Sequence, residues 1–84
     1  MRNNLKVQRA IKNITQAELA RRIGVSRQTI NAIESQDYVP STRLALLLSH
    51  EFKLPVNEIF FLESMELPQY TEDRQSSNGF TFGP

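Results

Sequence analysis

The sequence predicts one all-α domain of five short helices over residues 1–65, followed by an acidic tail over residues 66–84 that we expect to be mostly disordered or extended. Apolar residues recur at spacings of three and four, which is typical of helices that bury one face. Serine or threonine precedes three of these stretches, where a side-chain oxygen can cap a helix. With 84 residues and no cysteine, the chain has room for one modest core and cannot cross-link it. The alternation Phe80-Thr81-Phe82 leaves a short C-terminal strand or hairpin open.

The first helix is predicted over residues 5–13. Leu5, Ala10 and Ile11, with Val7 nearby, form an uneven apolar face, and the basic residues between them remain polar. We therefore expect this helix to pack on the core through that face.

The second helix has sharper boundaries. Thr15 and Glu18 have the spacing of a capping box, in which the threonine hydroxyl accepts from the backbone of Glu18 and the glutamate reaches back. Ile14 before the cap and Leu19 after it are placed to contact each other as a hydrophobic staple. Gly24 follows the helix, where glycine adopts the left-handed backbone conformation without steric cost.

Three more helices are predicted after this glycine. The third begins after the cap Ser26 and extends to about residue 35, and the fourth begins after the cap Ser41 and ends near residue 53. A proline then suits the first turn of a short fifth helix over residues 56–60. The residues expected to face the core are Ile30 and Ile33 on the third helix and Leu44, Leu47, Leu48 and Phe52 on the fourth.

Charge is distributed unevenly along the chain. Residues 1–57 carry nine Lys or Arg against four acidic residues, a net charge of +5, whereas residues 58–84 carry one against five, a net charge of −4. A basic body with an acidic tail indicates a polyanionic partner for the body. An ordinary solvated surface with an acidic end explains the charge alone equally well.

Several classes of function lack their sequence signatures. The chain has one histidine, His50, and shows no glycine-rich phosphate loop or paired carboxylates, so we expect no catalysis, no metal site and no cofactor. The longest apolar run, residues 44–48, is far shorter than the roughly 20 residues that span a membrane. The first residues do not resemble a secretion signal. We therefore expect a cytoplasmic protein.

The second and third helices, with the turn between them, form the pattern that carries the function. Small Ala20 allows the helices to approach, Gly24 makes the turn and Val25 fills its inner side. The solvent face of the third helix is then rich in polar side chains that can bind base edges. This arrangement predicts a helix-turn-helix over residues 16–35 that inserts a recognition helix into the major groove of DNA.

Three stretches carry a resemblance to a known family: Thr-Gln-Ala-Glu-Leu-Ala over residues 15–20, Gly-Val-Ser-Arg-Gln-Thr-Ile over residues 24–30, and Ile33-Glu34. They are similar to the Cro/CI-type (Xre) family of repressors over about residues 4–60. The resemblance implies a lambda-repressor-like, five-helix DNA-binding domain. In length and in its Tyr-x-Pro-Ser segment over residues 38–41, the chain is most similar to short stand-alone members.

The resemblance also implies roles for individual residues. Arg9 and Glu34 stand where relatives have an ion pair that orients the recognition helix. Ala32 replaces a longer polar side chain of many relatives, which puts a third base contact in doubt. The expected base contacts are Arg27, Gln28, Thr29 and Asn31, and the expected phosphate contacts are Gln16, Ser26, Ser35, Gln36 and Tyr38.

Plainer roles stay open for four of these residues. Gln16 is also suitable as an ordinary first-turn residue, and Arg27 as a phosphate contact that adds affinity without specificity. Thr29 is equally suitable as a residue that packs against the helix, and Tyr38 as a structural loop residue or part of a dimer contact.

Assembly is expected because one such domain makes few base contacts. A two-fold homodimer that places its recognition helices about 34–36 Å apart implies a near-palindromic operator. We expect the apolar run Ile59, Phe60, Phe61 and Leu62 to form the interface, with a strand pairing to residues 2–4. The alternative function is an antitoxin or adaptor that binds a partner protein through the C-terminal tail.

Overall fold

The computed structural model describes residues 1–69 as four α-helices, two 3-10 helices and a two-stranded sheet. In chain order these are β1 Arg2–Asn3, α1 Leu5–Lys12, α2 Gln16–Ile23, α3 Arg27–Glu34, α4 Thr42–Phe52, a first 3-10 helix Val56–Glu58, β2 Phe60–Phe61 and a second 3-10 helix Ser64–Glu66. Each α-helix contributes at least one buried apolar residue to a common core, which Ile59 and Phe60 complete.

Side-chain caps start three helices, as the sequence predicts. The hydroxyls of Thr15, Ser26 and Ser41 each accept a hydrogen bond from the backbone N–H three residues later, at 3.0 to 3.1 Å. Gly24 ends α2 with φ 76°, a left-handed conformation that glycine adopts without the steric penalty of a Cβ. The turn between α2 and α3 is therefore defined by a stop at one end and a cap at the other.

One half of the predicted capping box, the hydrogen bond from the Thr15 backbone N–H to the Glu18 carboxylate, is wrong. The Glu18 carboxylate accepts from Arg21 at 2.6 Å and from Arg22 at 2.8 Å, one turn further along α2, instead of reaching back to Thr15. Charge-assisted bonds of this kind are stronger than a bond to a neutral backbone N–H. The hydrogen bonds from Arg21 and then Arg22 lower the pKa of Glu18 to about 2. Arg22 also donates to Glu51 at 2.8 Å, which links α2 to α4.

The predicted apolar face of α1 is also wrong. The helix buries Leu5 alone, whereas Val7, Ala10 and Ile11 are exposed, Ile11 by 71%. Leu5 and Arg9 are four residues apart and share the inward face, because Arg9 pairs with the end of α3. At about 100° per residue, Val7 and Ile11 then lie on the opposite side of the helix.

The predicted fifth helix is replaced by a short 3-10 helix and a strand. After Val56–Glu58 the chain becomes extended, and Phe60–Phe61 pairs antiparallel with Arg2–Asn3. The Asn4 N–H donates to the carbonyl of Ile59 at 3.0 Å. This carbonyl is therefore bonded to the start of the chain instead of accepting a hydrogen bond within a helix. The expected pairing of this segment with residues 2–4 is confirmed within one chain.

The predictions for Phe80, Phe82 and the rest of residues 70–84 lie outside the described residues. The second 3-10 helix, Ser64–Glu66, crosses the predicted domain boundary at residue 65. Among residues 1–69, no helix is long and apolar enough to cross a membrane.

A bidentate ion pair connects α1 to α3. Arg9 Nε lies 2.6 Å from Glu34 Oε2, and Arg9 Nη2 lies 3.0 Å from Glu34 Oε1. The side chains are only 14% and 7% exposed. Arg9 Nη1 also donates to the carbonyl of Ile14 at 3.0 Å, so one guanidinium holds the end of α3 and the segment before α2.

The Glu34 carboxyl is ionised in this site. Its burial raises the pKa, but hydrogen bonds from Arg9 and Gln16, with the charges of Arg9 and Lys6, outweigh burial and leave the pKa of Glu34 below its ordinary value. The ion pair therefore stabilises the fold at neutral pH and weakens as the carboxyl is protonated.

We expect Glu34→Leu to lower the free energy of unfolding by about 3 kcal/mol, the lower end of the range for breaking a buried pair, because this pair is partly buried and Arg9 is left there without a counter-charge. The double variant Arg9→Met/Glu34→Leu should lose far less, since no uncompensated charge remains. Urea unfolding of the wild type, both single variants and the double variant measures the cycle. Equal losses for Glu34→Leu and the double variant would contradict this role.

Acid should destabilise the protein partly through Glu34. Because the folded pKa is lowered, the contribution of this carboxyl is complete above the unfolded pKa of roughly 4.3 and is lost as the pH falls below it. Urea unfolding between about pH 5 and pH 3 should therefore show a shallower decline for Glu34→Gln than for the wild type.

The matched control for this acid series is Glu18→Gln, which removes a carboxylate from an exposed ion pair. Added salt should diminish the effect of Glu18→Gln, because salt screens exposed pairs more than buried ones. The effect of Glu34→Gln should persist in salt. Parallel curves for the wild type and Glu34→Gln would show that Glu34 does not contribute.

Candidate nucleic-acid interface

One face of α3 is buried and the opposite face is open to solvent. Ile30 and Ile33 are buried against the core, and the cap Ser26 orients the first turn. Arg27, Gln28 and Asn31 are exposed, and Arg27 and Asn31 share one face because they are four residues apart. The core therefore holds a short helix in place while its polar face remains accessible.

Gln16, at the start of α2, lies at the centre of a hydrogen-bonded network. Its amide nitrogen donates to Glu34 Oε1 at 3.0 Å and to Asn31 Oδ1 at 3.2 Å. Its amide oxygen accepts from Arg27 Nη1 at 3.2 Å. The structure thus brings one predicted phosphate contact together with two predicted base contacts and with the Arg9–Glu34 pair.

The other predicted contacts on the first turn of α3, Gln28 and Thr29, differ in whether their side chains are already hydrogen-bonded. Gln28 is exposed, and its side chain makes no hydrogen bond within residues 1–69. Thr29 is half-buried, and its hydroxyl lies 2.9 Å from that of Ser26. Since these two hydroxyls bond to each other, Gln28 is the more available side chain for DNA.

The three predicted phosphate contacts after α3 lie at its C-terminal end, away from Gln16 in sequence. The Ser35 hydroxyl donates to the carbonyl of Asn31 at 2.9 Å and also lies 3.2 Å from the Asp37 carboxylate. A phosphate contact by Ser35 would require this hydroxyl to turn away from both. Gln36 has a left-handed backbone, with φ 66°, and the Tyr38 side chain is exposed.

Two residues near this surface were missed from the sequence. Asn3 donates to the carbonyl of Ile33 at 2.9 Å and accepts from the Leu5 N–H at 3.1 Å, so it joins the end of α3 to the start of α1. Lys6 is exposed, and its charge helps to lower the pKa of Glu34, which places an additional cation beside the network. For Asn3, the available signal was the pair of asparagines directly before Leu5. For Lys6, it was the spacing of three residues between Lys6 and Arg9.

The apolar run predicted as a dimer interface is divided by the sheet. Ile59 and Phe60 are buried in the core of their own chain, so the expectation that they meet a partner is corrected. Alternation along the strand turns Phe61 outward, and Phe61 and Leu62 are 39% and 61% exposed.

Features of a cofactor or metal site are lacking in the described part of the chain. No group of three or more His, Cys, Asp or Glu side chains is placed to hold a metal ion there. An open cleft of about 380 Å³ beside Phe60 is lined almost entirely by apolar side chains, without converging polar groups. The polar face of α3 remains the best-defined candidate site within residues 1–69.

Comparisons with known proteins agree with this geometry. A helix-turn-helix family model matches residues 5–59. An uncharacterized HTH-type transcriptional regulator of Methanocaldococcus jannaschii is 47% identical over 66 residues, which are 79% of this chain and the whole of that protein. The uncharacterized regulator YgzD of Bacillus subtilis is 43% identical over 63 residues, 75% of this chain and 96% of that protein. An uncharacterized HTH-type transcriptional regulator of Archaeoglobus fulgidus is 42% identical over 67 residues, 80% of this chain and 94% of that protein.

The family model covers the four α-helices and the first 3-10 helix, and the relatives are matched over nearly their full lengths. The shared region contains the exposed face of α3 and the network around Gln16. The chain belongs to the Cro/CI-type (Xre) family of helix-turn-helix, DNA-binding transcriptional regulators.

Proposed function

We propose that this protein is a sequence-specific repressor that binds a near-palindromic operator as a homodimer. The observation that carries the proposal is the geometry of α3, whose buried isoleucines anchor it while Arg27, Gln28 and Asn31 are exposed. A rigid helix with this face has the diameter and the donors that major-groove recognition requires. Occupation of a promoter by the dimer is the simplest route to repression.

Direct contacts to bases follow from the chemistry of the exposed face. The Arg27 guanidinium offers donors to guanine O6 and N7, and the Gln28 amide matches adenine N6 and N7. Thr29 is the weakest of the predicted base contacts, because its hydroxyl is bonded to Ser26. Asn31 lies one turn beyond Arg27 on the same face.

Phosphate contacts would position the domain on the duplex. Gln16 would contact a phosphate through its backbone N–H at the N-terminus of α2, where helix N–H groups favour an anion, because its side-chain N–H groups bond to Asn31 and Glu34. Ser26, Ser35, Gln36 and Tyr38 are the other proposed phosphate contacts, and Lys6 adds a cation. Arg27 contacts no acidic side chain within residues 1–69, which leaves its charge available to a polyanion.

Dimerisation is proposed through Phe61 and Leu62. Their exposed apolar side chains are adjacent, Phe61 on β2 and Leu62 directly after it. An isologous contact there would join two copies of the domain, as a near-palindromic operator requires.

Selection of bound sequences from random DNA, at a stated salt concentration, should recover two inverted half-sites about one helical turn apart. Arg27→Ala and Gln28→Ala should each relax the preference at one base pair per half-site, by about 1–3 kcal/mol. His50→Ala changes an exposed residue of α4 and is the matched control. Recovery of no sequence preference by the wild type would refute the proposal.

Phe61→Glu should convert the dimer to a monomer in analytical ultracentrifugation, because two carboxylates would face each other across the two-fold axis. Ile11→Glu is the matched control, since it charges another exposed apolar position on a different element and should leave the dimer intact. A Phe61→Glu protein that sediments as a dimer would exclude this interface.

A further inference from the structure

Asn31 is an exposed amide whose orientation is determined by its neighbours. It lies on α3 with its oxygen 3.2 Å from the amide nitrogen of Gln16. Its own nitrogen donates to no other group in the described part of the chain. Whether Asn31 turns hydrogen-bond donors or acceptors toward a ligand therefore depends on which end of its amide is bonded to Gln16.

The orientation of Gln16 follows from two partners of opposite kind. The ionised Glu34 carboxylate can only accept hydrogen bonds, so the NH2 end of Gln16 must face it, at 3.0 Å. The Arg27 guanidinium can only donate, so the oxygen of Gln16 must face it, at 3.2 Å. Both partners select the same orientation, and a flipped amide would place like groups together at both ends.

The orientation of Asn31 follows in turn. One N–H of Gln16 is bonded to Glu34, and the second is directed at Asn31. A donor requires an acceptor, so the oxygen of Asn31 faces Gln16 and its NH2 group faces outward. The partly buried charge of Glu34 thus determines the orientation of the exposed Asn31 amide through one intervening amide, that of Gln16.

We propose that Asn31 is a specificity-determining residue that turns its NH2 donors toward DNA and selects guanine; this inference rests on the proposed function. An unrestrained asparagine binds adenine through its oxygen and its nitrogen together, accepting from N6 and donating to N7. Because the oxygen of Asn31 is turned toward Gln16, the end of the amide that faces outward is the NH2 group with its two N–H donors. Guanine presents two adjacent acceptors, O6 and N7, in the major groove, whereas adenine and thymine each present one and cytosine presents none.

Two side chains that turn donors outward then share one face of α3. Arg27 and Asn31 both select guanine, whereas Gln28, whose amide is unrestrained within residues 1–69, is left to bind adenine. Glu34 acts as a positioning residue, because it sets the donor pattern without reaching the DNA.

The test is selection from random DNA with the wild type and three variants, each first shown by circular dichroism to be folded. The wild type should select guanine at one position per half-site that loses its preference, by about 5- to 150-fold, in Asn31→Ala. Asn31→Lys, which offers only donors, should keep guanine at that position. Gln16→Met, which removes the restraint, should admit adenine there as well as guanine.

The possible results separate the inference from the proposed function. If the wild type selects an operator but the position that depends on Asn31 is adenine, cytosine or thymine, the inference is overturned and the proposed function stands. An unchanged site in Asn31→Ala also overturns it. His50→Ala should reproduce the wild-type site, and the absence of any selected sequence would defeat the proposed function and the inference with it.

Discussion

The bidentate pair between Arg9 and Glu34 fixes how α1 packs against α3. Its two charges lie on α1 and α3, and the same guanidinium reaches the carbonyl of Ile14 before α2. One partly buried contact therefore connects α1, the end of α3 and the segment that leads into α2. Removing two charges from water costs free energy, so the value of the pair lies in the geometry that it specifies rather than in a large net gain in stability. That geometry includes the direction of α3.

The proposed DNA-binding surface is a continuation of this contact. Glu34 accepts from Gln16 as well as from Arg9, and Gln16 connects it to Arg27 and Asn31. Side chains on the exposed face are thus ordered before any ligand arrives, which reduces the entropy that binding would otherwise lose. The remaining cations of α2 have a different use. Arg21 and Arg22 are engaged by acidic side chains of the same chain, and they stabilise the helix and its contact with α4.

Local chemistry made most of the helical fold predictable. A hydroxyl before each of α2, α3 and α4 and a glycine after α2 determine those helix ends through bonds that span only three or four residues. Predictions failed where another partner competed with the expected one. Glu18 bonds to two arginines one turn further along its own helix instead of completing its capping box, because their charges make the stronger bonds. The segment after the first 3-10 helix pairs with the start of the chain, and this pairing is not visible in any local window of the sequence.

Spacing along each helix made the helix-turn-helix and the residue types on its exposed face predictable, because spacing decides which side chains share a face. The two partners of the ion pair were expected from the resemblance to the Cro/CI-type family. The inward side of α1 depends on packing against other helices: Arg9 faces inward, where it pairs with Glu34, and Ile11 is exposed. The tertiary structure also decided that Phe60 belongs to the core while Phe61 is exposed. The orientation of the Asn31 amide likewise requires coordinates, because it follows from hydrogen bonds among side chains up to 25 residues apart in the chain. Long-range contacts of this kind have no local signature in the sequence.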